Sequence, residues 1–375
     1  MKTYDVLIVG AGLIGVSAAF ELASRNLRVL VLDRQQPGRE ASWAAAGMLS
    51  PKPDSSDASA LALVPLANES LRLYPAFIAA IEQASGKSCE FARQGTLEIF
   101  FGASGEAERE ALVARNKRLG LAAEAIALHE ARELEPPLAP GATAAAWLPD
   151  EATVDPRLLI DAAISAAQAR GVEIRSDCAA SGLIHQGERC TGVIASGEKV
   201  AASHVVIAAG CFSSQLGAEF ASCAPTRPVR GQMISLRHPR VTLRHVLRSA
   251  NGYLVPRADG RVVAGSTLEN AGFEKSVTPE GMRKIMKAAT ELVPALAEAE
   301  TLERWAGLRP GTPDNLPILG PTPTPGLIAA TGHYRDGILL AAVTAKLVAA
   351  WIAGNAVGQL EVDTSPFSPH RFSRP

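Results

Sequence analysis

Four apolar residues in a row, Val6 to Val9, run straight into Gly10. An unbroken run of this kind predicts a parallel strand covered on both faces. "LIGVSAAFELASR" follows with helical period and good helix formers. "RVLVL" is a second apolar run, and it stops at Asp33. Strand, helix and strand are therefore predicted before Arg34. A polar stretch, "PKPDSSDASA", predicts a loop, and helical patterns follow near Pro65 to Ala84 and Ser104 to Leu119. The alternation resumes at "DPRLLIDAAISAAQARG", where Asp155 and Pro156 open a helix and Gly171 closes it. "VEIRS" and "SHVVIAAG" are two more buried strands, the second turning at Gly210. "RPVRGQMISL", "GYLVPR" and "RVVAGST" carry the β-branched enrichment and turn punctuation of antiparallel strands. "ILLAAVTAKLVAAWIAG" is apolar but broken by Lys346 and short for a bilayer, so a buried helix is predicted.

Composition narrows the picture. The 375 residues allow one large α/β unit or two interleaved domains. The net charge of −1 offers no nucleic-acid patch and no basic membrane tail. Arg227, Arg230, Arg237 and Arg240 are read as solvated surface. Five cysteines without a CxxC argue against a disulfide framework or a zinc site, and fit a reduced, cytoplasmic compartment. The apolar N-terminal run is interrupted by Asp5 and lacks a cleavage pattern, so it is read as a strand and not a signal peptide.

Gly10, Gly12 and Gly15 have the GxGxxG spacing between the first strand and its helix. Gly10 permits the tight turn, Gly12 admits a pyrophosphate to the backbone, and Gly15 lets helix and strand pack closely. The helix N-terminus then faces the phosphates. Asp33 is placed to accept from ribose hydroxyls, which disfavours a 2′-phosphate. "REASWAAAGMLSP" is almost free of bulk from Ala44 to Gly47, so a flat ring system can lie on the backbone. A dinucleotide fold interrupted by insertions fits FAD better than NAD.

"RWAGLRPGTPDNLPILG" poses a different question. Arg309 is a fixed charge among Gly, Pro, Trp and Leu, with no acid within four residues. Such a charge is unfavourable unless an anion meets it. That anion is either a bound ligand or a more distant acid, Asp314 or Glu303.

"GAGLIGVSAAFELA", "ASWAAAGMLSP", and "ERWAGLRPGTPDNLPILG" with "ATGHYRDGILLAAVTAKLVAAWI" together resemble the D-amino-acid oxidase superfamily of FAD enzymes, and within it the glycine oxidases of thiamine biosynthesis. The resemblance implies an α/β fold: an FAD-binding Rossmann-like domain with an interleaved α+β antiparallel-sheet substrate domain. The expected FAD domain takes residues 1–50, 150–222 and 305–375; the substrate domain takes 51–149 and 223–304. It implies FAD contacts at Gly10, Gly12, Leu13, Ile14 and Gly15, at Asp33 and Arg34, and at Ala41, Ser42, Ala46, Gly47 and Met48. Ala180 is expected at the adenine. His333, Tyr334, Arg335, Asp336, Gly337, Ile338 and Leu339 form the flavin-facing turn, with Gly337 just before a helix whose N-terminus faces the ring. The absence of cysteine after Cys223 implies noncovalent FAD.

By the same resemblance Arg309 grips the substrate carboxylate as a bidentate fork, Tyr253 gives it a hydroxyl, Arg335 is a second site arginine and Leu268 an apolar wall. Trp43 stands where a small residue is expected, and either lengthens the loop or covers the cofactor. The implied reaction is oxidative deamination of a small, glycine-like amino acid, with oxygen leaving as hydrogen peroxide and no metal. No membrane span is expected, and relatives are commonly homo-oligomers. Sarcosine, D-amino acids and proline are rival substrates. A D-amino-acid dehydrogenase that reduces quinone and an NAD(P)H-dependent flavin monooxygenase are rival activities.

Overall fold

The computed structural model describes residues 4–53, 57–353, 360 and 362–372. Tyr4–Val9, Val29–Leu32, Glu173–Arg175, Glu198–Ile207 and Leu327–Thr331 form a parallel sheet, joined at its edge by the antiparallel strand Ile318–Pro321. Tyr4–Val9 lies at the centre between Val29–Leu32 and Glu198–Ile207, and Val6, Leu7 and Ile8 are fully buried. The continuous apolar run is thus explained by helices on one face and a second core on the other. A hairpin, Ala180–Gln186 and Arg189–Ala195, extends from this sheet.

Three helices cover one face: Leu13–Ala23, Pro156–Ala169 and Ala341–Ala353. Asp155 caps the second, its carboxylate accepting from the N–H groups of Arg157 and Leu158, as the Asp-Pro signal predicts. The chain departs from expectation at an earlier helix. It runs over Ala58–Ser85 and contains both Pro65 and Pro75, starting inside the stretch predicted as a loop. Residues 54–56 of that stretch lie outside the described residues. Burial of Leu66, Leu71, Tyr74, Ile78 and Ile81 in the core of the parallel sheet outweighs the disfavoured prolines. This helix therefore packs with the dinucleotide unit, although it was expected in the other domain.

The second sheet has the order Glu300–Gly311, Arg227–Arg237, Val262–Gly265, Gly252–Pro256, Val246–Ser249, Thr96–Phe101, Ala142–Leu148 and Glu124–Ile126. All neighbours are antiparallel except Val246–Ser249 with Thr96–Phe101. The long edge strand Glu300–Gly311 pairs with Arg227–Arg237 along its length. Residues 305–311 thus belong by hydrogen bonding to this sheet and not, as expected, to the parallel one. Arg230 corrects the reading of a solvated basic cluster: it is buried and pairs with Glu269. Among the described residues no helix is long and apolar enough to cross a membrane.

Candidate active site

The carboxyl ends of the parallel strands open into a cavity of about 440 Å³ that continues to the second sheet. Gly10, Asp33, Ala208 and Thr331 follow or end four of those strands, and all line it. This is the crevice in which open α/β sheets bind ligands. Gly15 does not line it. Its role is close packing: a Cβ there would lie 2.0 Å from the carbonyl oxygen of Gly10. Gly12 caps the helix Leu13–Ala23 without a side-chain bond, and no acid occupies the first turn. That leaves the positive end of the helix dipole for an anion. Leu13 N–H donates to Ser42 Oγ at 2.9 Å, tying the helix to the small-residue loop.

Asp33 accepts from Ala11 N–H at 2.8 Å and Gln35 N–H at 3.0 Å. Burial pushes its carboxyl up, against the pull of those two N–H groups. Arg34 is exposed on its outer side. It pairs with Glu40 at 3.0 Å and lies 3.3 Å over the ring of Phe212, which stacks on Phe273. Cys178, Ala179 and Ala180 complete the wall near Asp33. Ala41, Ser42, Ala46, Gly47 and Met48 all line the cavity, as do Ile14, His333, Tyr334, Arg335, Gly337 and Ile338.

Two expected contacts are displaced. Asp336 does not line the cavity, and Leu339 is buried in the helical core with its carbonyl bonded by Ser70 Oγ. The reason is a turn at 337–340 that precedes the helix, which begins at Ala341. Leu268 is also no wall: it is 58% exposed and outside the cavity. Trp43 turns away from the lining, under the guanidinium of Arg157 at 3.5 Å and edge-on to Trp305.

At the far end stand Arg309, Tyr253 and Arg335, with Ser266, Met233 and Gly231. Arg309 Nη2 donates to Ser266 Oγ at 2.7 Å and Nη1 to Thr267 O at 3.2 Å. The two distant acids are taken elsewhere: Glu303 pairs with Arg157 and Asp314 with Arg371. Among the described residues no carboxylate lies within ion-pair distance of Arg309. Burial pulls its pKa down, and Arg335 adds to that, while Tyr253 opposes it. Arginine still does not deprotonate, so the site holds a half-buried cation opening on a cavity. Tyr253 donates to Met233 Sδ at 3.3 Å. His333 is buried against Thr344 Oγ1 at 3.1 Å, and burial alone pushes its pKa down to about 3. It is neutral and no base.

Gly231, Met233 and Ser266 were not legible as site residues. Gly231 carries the one available signal, a glycine inside a strand pattern, which marks close approach of another group. Here the group is the Arg309 guanidinium.

An uncapped helix N-terminus and an acid at the end of the second strand make this a dinucleotide-binding cavity, with a cation at its far end. The residues fit FAD: one cavity joins the phosphate-binding turn, the ribose acid and a long wall of small residues. The chain belongs to the FAD dependent oxidoreductase family, whose model matches residues 5–351. It is 34% identical over 366 residues to a glycine oxidase of Pseudomonas aeruginosa, covering 97% of this chain and 98% of that one. It is also 34% identical to a bifunctional ThiO/ThiG protein of Trichormus variabilis, covering 93% of this chain and 53% of that protein. The crystal structure of glycine oxidase from Geobacillus kaustophilus superposes with a TM-score of 0.92 at 31% identity, over 99% of both chains. The protein is an FAD-dependent oxidoreductase of this family.

Proposed function

We propose that the protein is a glycine oxidase, deaminating glycine and related small amino acids, sarcosine or short D-amino acids among them, with oxygen as acceptor. The observation that carries this is Arg309: a half-buried guanidinium, without a carboxylate partner among the described residues, at the end of the cavity that fits FAD. Arg309 and Tyr253 hold the substrate carboxylate, and Arg335 adds positive potential beside them. Bulky Met233 and Tyr334 flank this end and favour a short substrate. FAD, when bound, supplies a two-electron acceptor that oxygen regenerates with release of hydrogen peroxide. The chain's part is positioning, which presents the substrate Cα–H to the cofactor side of the cavity. Two guanidinium groups disfavour a charged ammonium nearby, so the reactive free amine is the form they select. The imine product hydrolyses to glyoxylate and ammonia, or passes on intact to thiazole synthesis for thiamine, a role that the ThiO/ThiG relative supports.

The cofactor is held by Gly10, Gly12, Leu13, Ile14, Asp33, Arg34, Ala41, Ser42, Ala46, Gly47, Met48 and Ala180, and by His333, Tyr334, Arg335, Gly337 and Ile338 of the turn before the last long helix. The dinucleotide unit comprises the N-terminal segment, residues 150–222 and the chain after Gly311, together with the helix Ala58–Ser85; the second sheet forms the substrate unit. The enzyme works in the cytoplasm as a homo-oligomer, and its five free thiols suit a reducing compartment. The test is a panel of glycine, sarcosine, D-alanine and D-proline, with peroxide and ammonia measured together. Equal yields from glycine support the reading. Turnover only with an added quinone would replace it with a dehydrogenase.

A further inference from the structure

The small-residue loop at 44–48 is held from behind by residues on or next to the sheet that carries Tyr253 and Arg309, and by Val154. Trp305 Nε1 donates to Ala44 O at 3.1 Å. Arg257 Nη2 donates to Ala46 O at 2.7 Å. Val154 N–H donates to Gly47 O at 2.9 Å. Trp305 lies on the strand of Arg309, and Arg257 directly follows the strand of Tyr253. With a side-chain period of two, Tyr253, Val255 and Arg257 share one face.

Arg257 is unusual on its own account. Its side chain is 5% exposed, and its Nε lies 3.4 Å from Asp155 Oδ2. Burial and the neighbouring Arg261 pull its pKa down, while Asp155 opposes them. Asp155 is itself fixed, since it caps the helix Pro156–Ala169. A buried cation locked this way serves poorly as a source of stability, yet it makes a short bond to one particular carbonyl.

The consequence follows from peptide geometry. A trans amide points its C=O and N–H in opposite directions. With Ala46 O turned back to Arg257, the Gly47 N–H turns the other way. Gly47 lines the cavity, and its N–H has no partner among the described residues. Ala44 O, held by Trp305, sets the Ala45 N–H in the same manner, and Ala45 also lines the cavity.

We propose that Arg257 is a positioning residue of the active site: it locks the Ala46–Gly47 peptide so that the Gly47 N–H is presented to the cavity as a donor to the bound FAD, in fixed relation to Tyr253. The proposal rests on FAD binding here, and not on glycine being the substrate. Arg257 touches neither substrate nor cofactor.

The test compares Arg257→Met and Arg257→Lys holoenzymes with wild type. The readouts are the flavin absorption spectrum, the midpoint potential by dithionite titration, and kcat and KM with the substrate found active. Loss of one well-placed hydrogen bond predicts a fall in kcat of roughly fivefold to tenfold in Arg257→Met, with KM changed less than twofold. A shifted flavin spectrum and a lower potential should accompany it. Arg257→Lys, which keeps a cationic donor, should recover part of each. Wild-type spectrum, potential and kcat in a folded Arg257→Met holoenzyme would overturn the proposal, as would a variant that lost only thermal stability. Should Arg257→Met not fold, the lysine variant decides alone: an unchanged spectrum and potential together with lowered stability would assign Arg257 to folding. The spectrum and potential need no substrate, so failure of glycine to reduce the enzyme would count against the proposed substrate and leave this test intact.

Discussion

Gly231 makes room for Arg309. The two residues lie on paired strands, and a Cβ at 231 would stand 2.1 Å from Nη1 and 2.5 Å from Cζ of the arginine. The guanidinium therefore occupies the space that any other residue at 231 would fill.

Gly231→Ala should keep the fold and spoil the site. The displaced group is the end of a flexible side chain, so stability should change by about 1 kcal/mol or less, a few degrees in Tm at most. The arginine must move, and KM for the amino acid should rise roughly tenfold or more. Steady-state kinetics beside a thermal melt checks this; an unchanged KM would mean that the guanidinium position does not matter.

Tyr253→Phe removes one hydroxyl from the end of the cavity that holds Arg309 and leaves the packing of the ring. A hydrogen bond to a charged group contributes about 1.5–3 kcal/mol, so KM should rise roughly tenfold to a hundredfold. Spectral titration with a carboxylate inhibitor should give the same factor in Kd.

Asp33→Ala should act on the cofactor and not on the amino acid. It removes the acid that accepts from Ala11 N–H and faces the cavity. Apoprotein reconstitution should show FAD affinity reduced by about tenfold or more, with KM for the substrate unchanged at saturating FAD.

Burial holds His333 neutral, with its pKa down at about 3 against an ordinary value of 6.5. The sign follows from linkage. Between these values the unfolded chain binds a proton that the folded chain does not. The stabilisation is present in full above pH 6.5 and is lost as pH falls toward 3. His333→Gln should flatten that part of the curve. Urea midpoints at pH 7, 5.5 and 4.5 for both proteins measure the difference.

The dinucleotide half was readable because its signals are local. The apolar runs at Val6–Val9 and Leu30–Leu32, the glycine spacing and Asp33 all sit in one short segment, where period and turn chemistry decide structure. The lining at the far end of the cavity was half legible. Arg309 announced itself as a charge without a nearby acid, and Tyr253 came from the family resemblance. Gly231, Ser266 and Thr267 reach Arg309 only through strand pairing and a following loop, and no local pattern marks that. Leu268 and Leu339 lie outside the cavity for a related reason: sequence neighbourhood to the site does not fix which way a residue faces at the end of a strand or in a turn. The helix Ala58–Ser85 starts ahead of the helical pattern expected from Pro65, because tertiary packing overrides the proline's penalty.

The central claim is that Arg309 holds the carboxylate of an amino acid against FAD. Anaerobic mixing of the purified holoenzyme with glycine, followed at the flavin absorption band, tests it most directly in wild type and Arg309→Ala. Wild type should bleach with saturable kinetics, and the variant should need on the order of a hundredfold or more glycine, as loss of a buried charge pair costs 3–5 kcal/mol. Bleaching of the variant at the same glycine concentrations as wild type would remove Arg309 from the site and contradict the account.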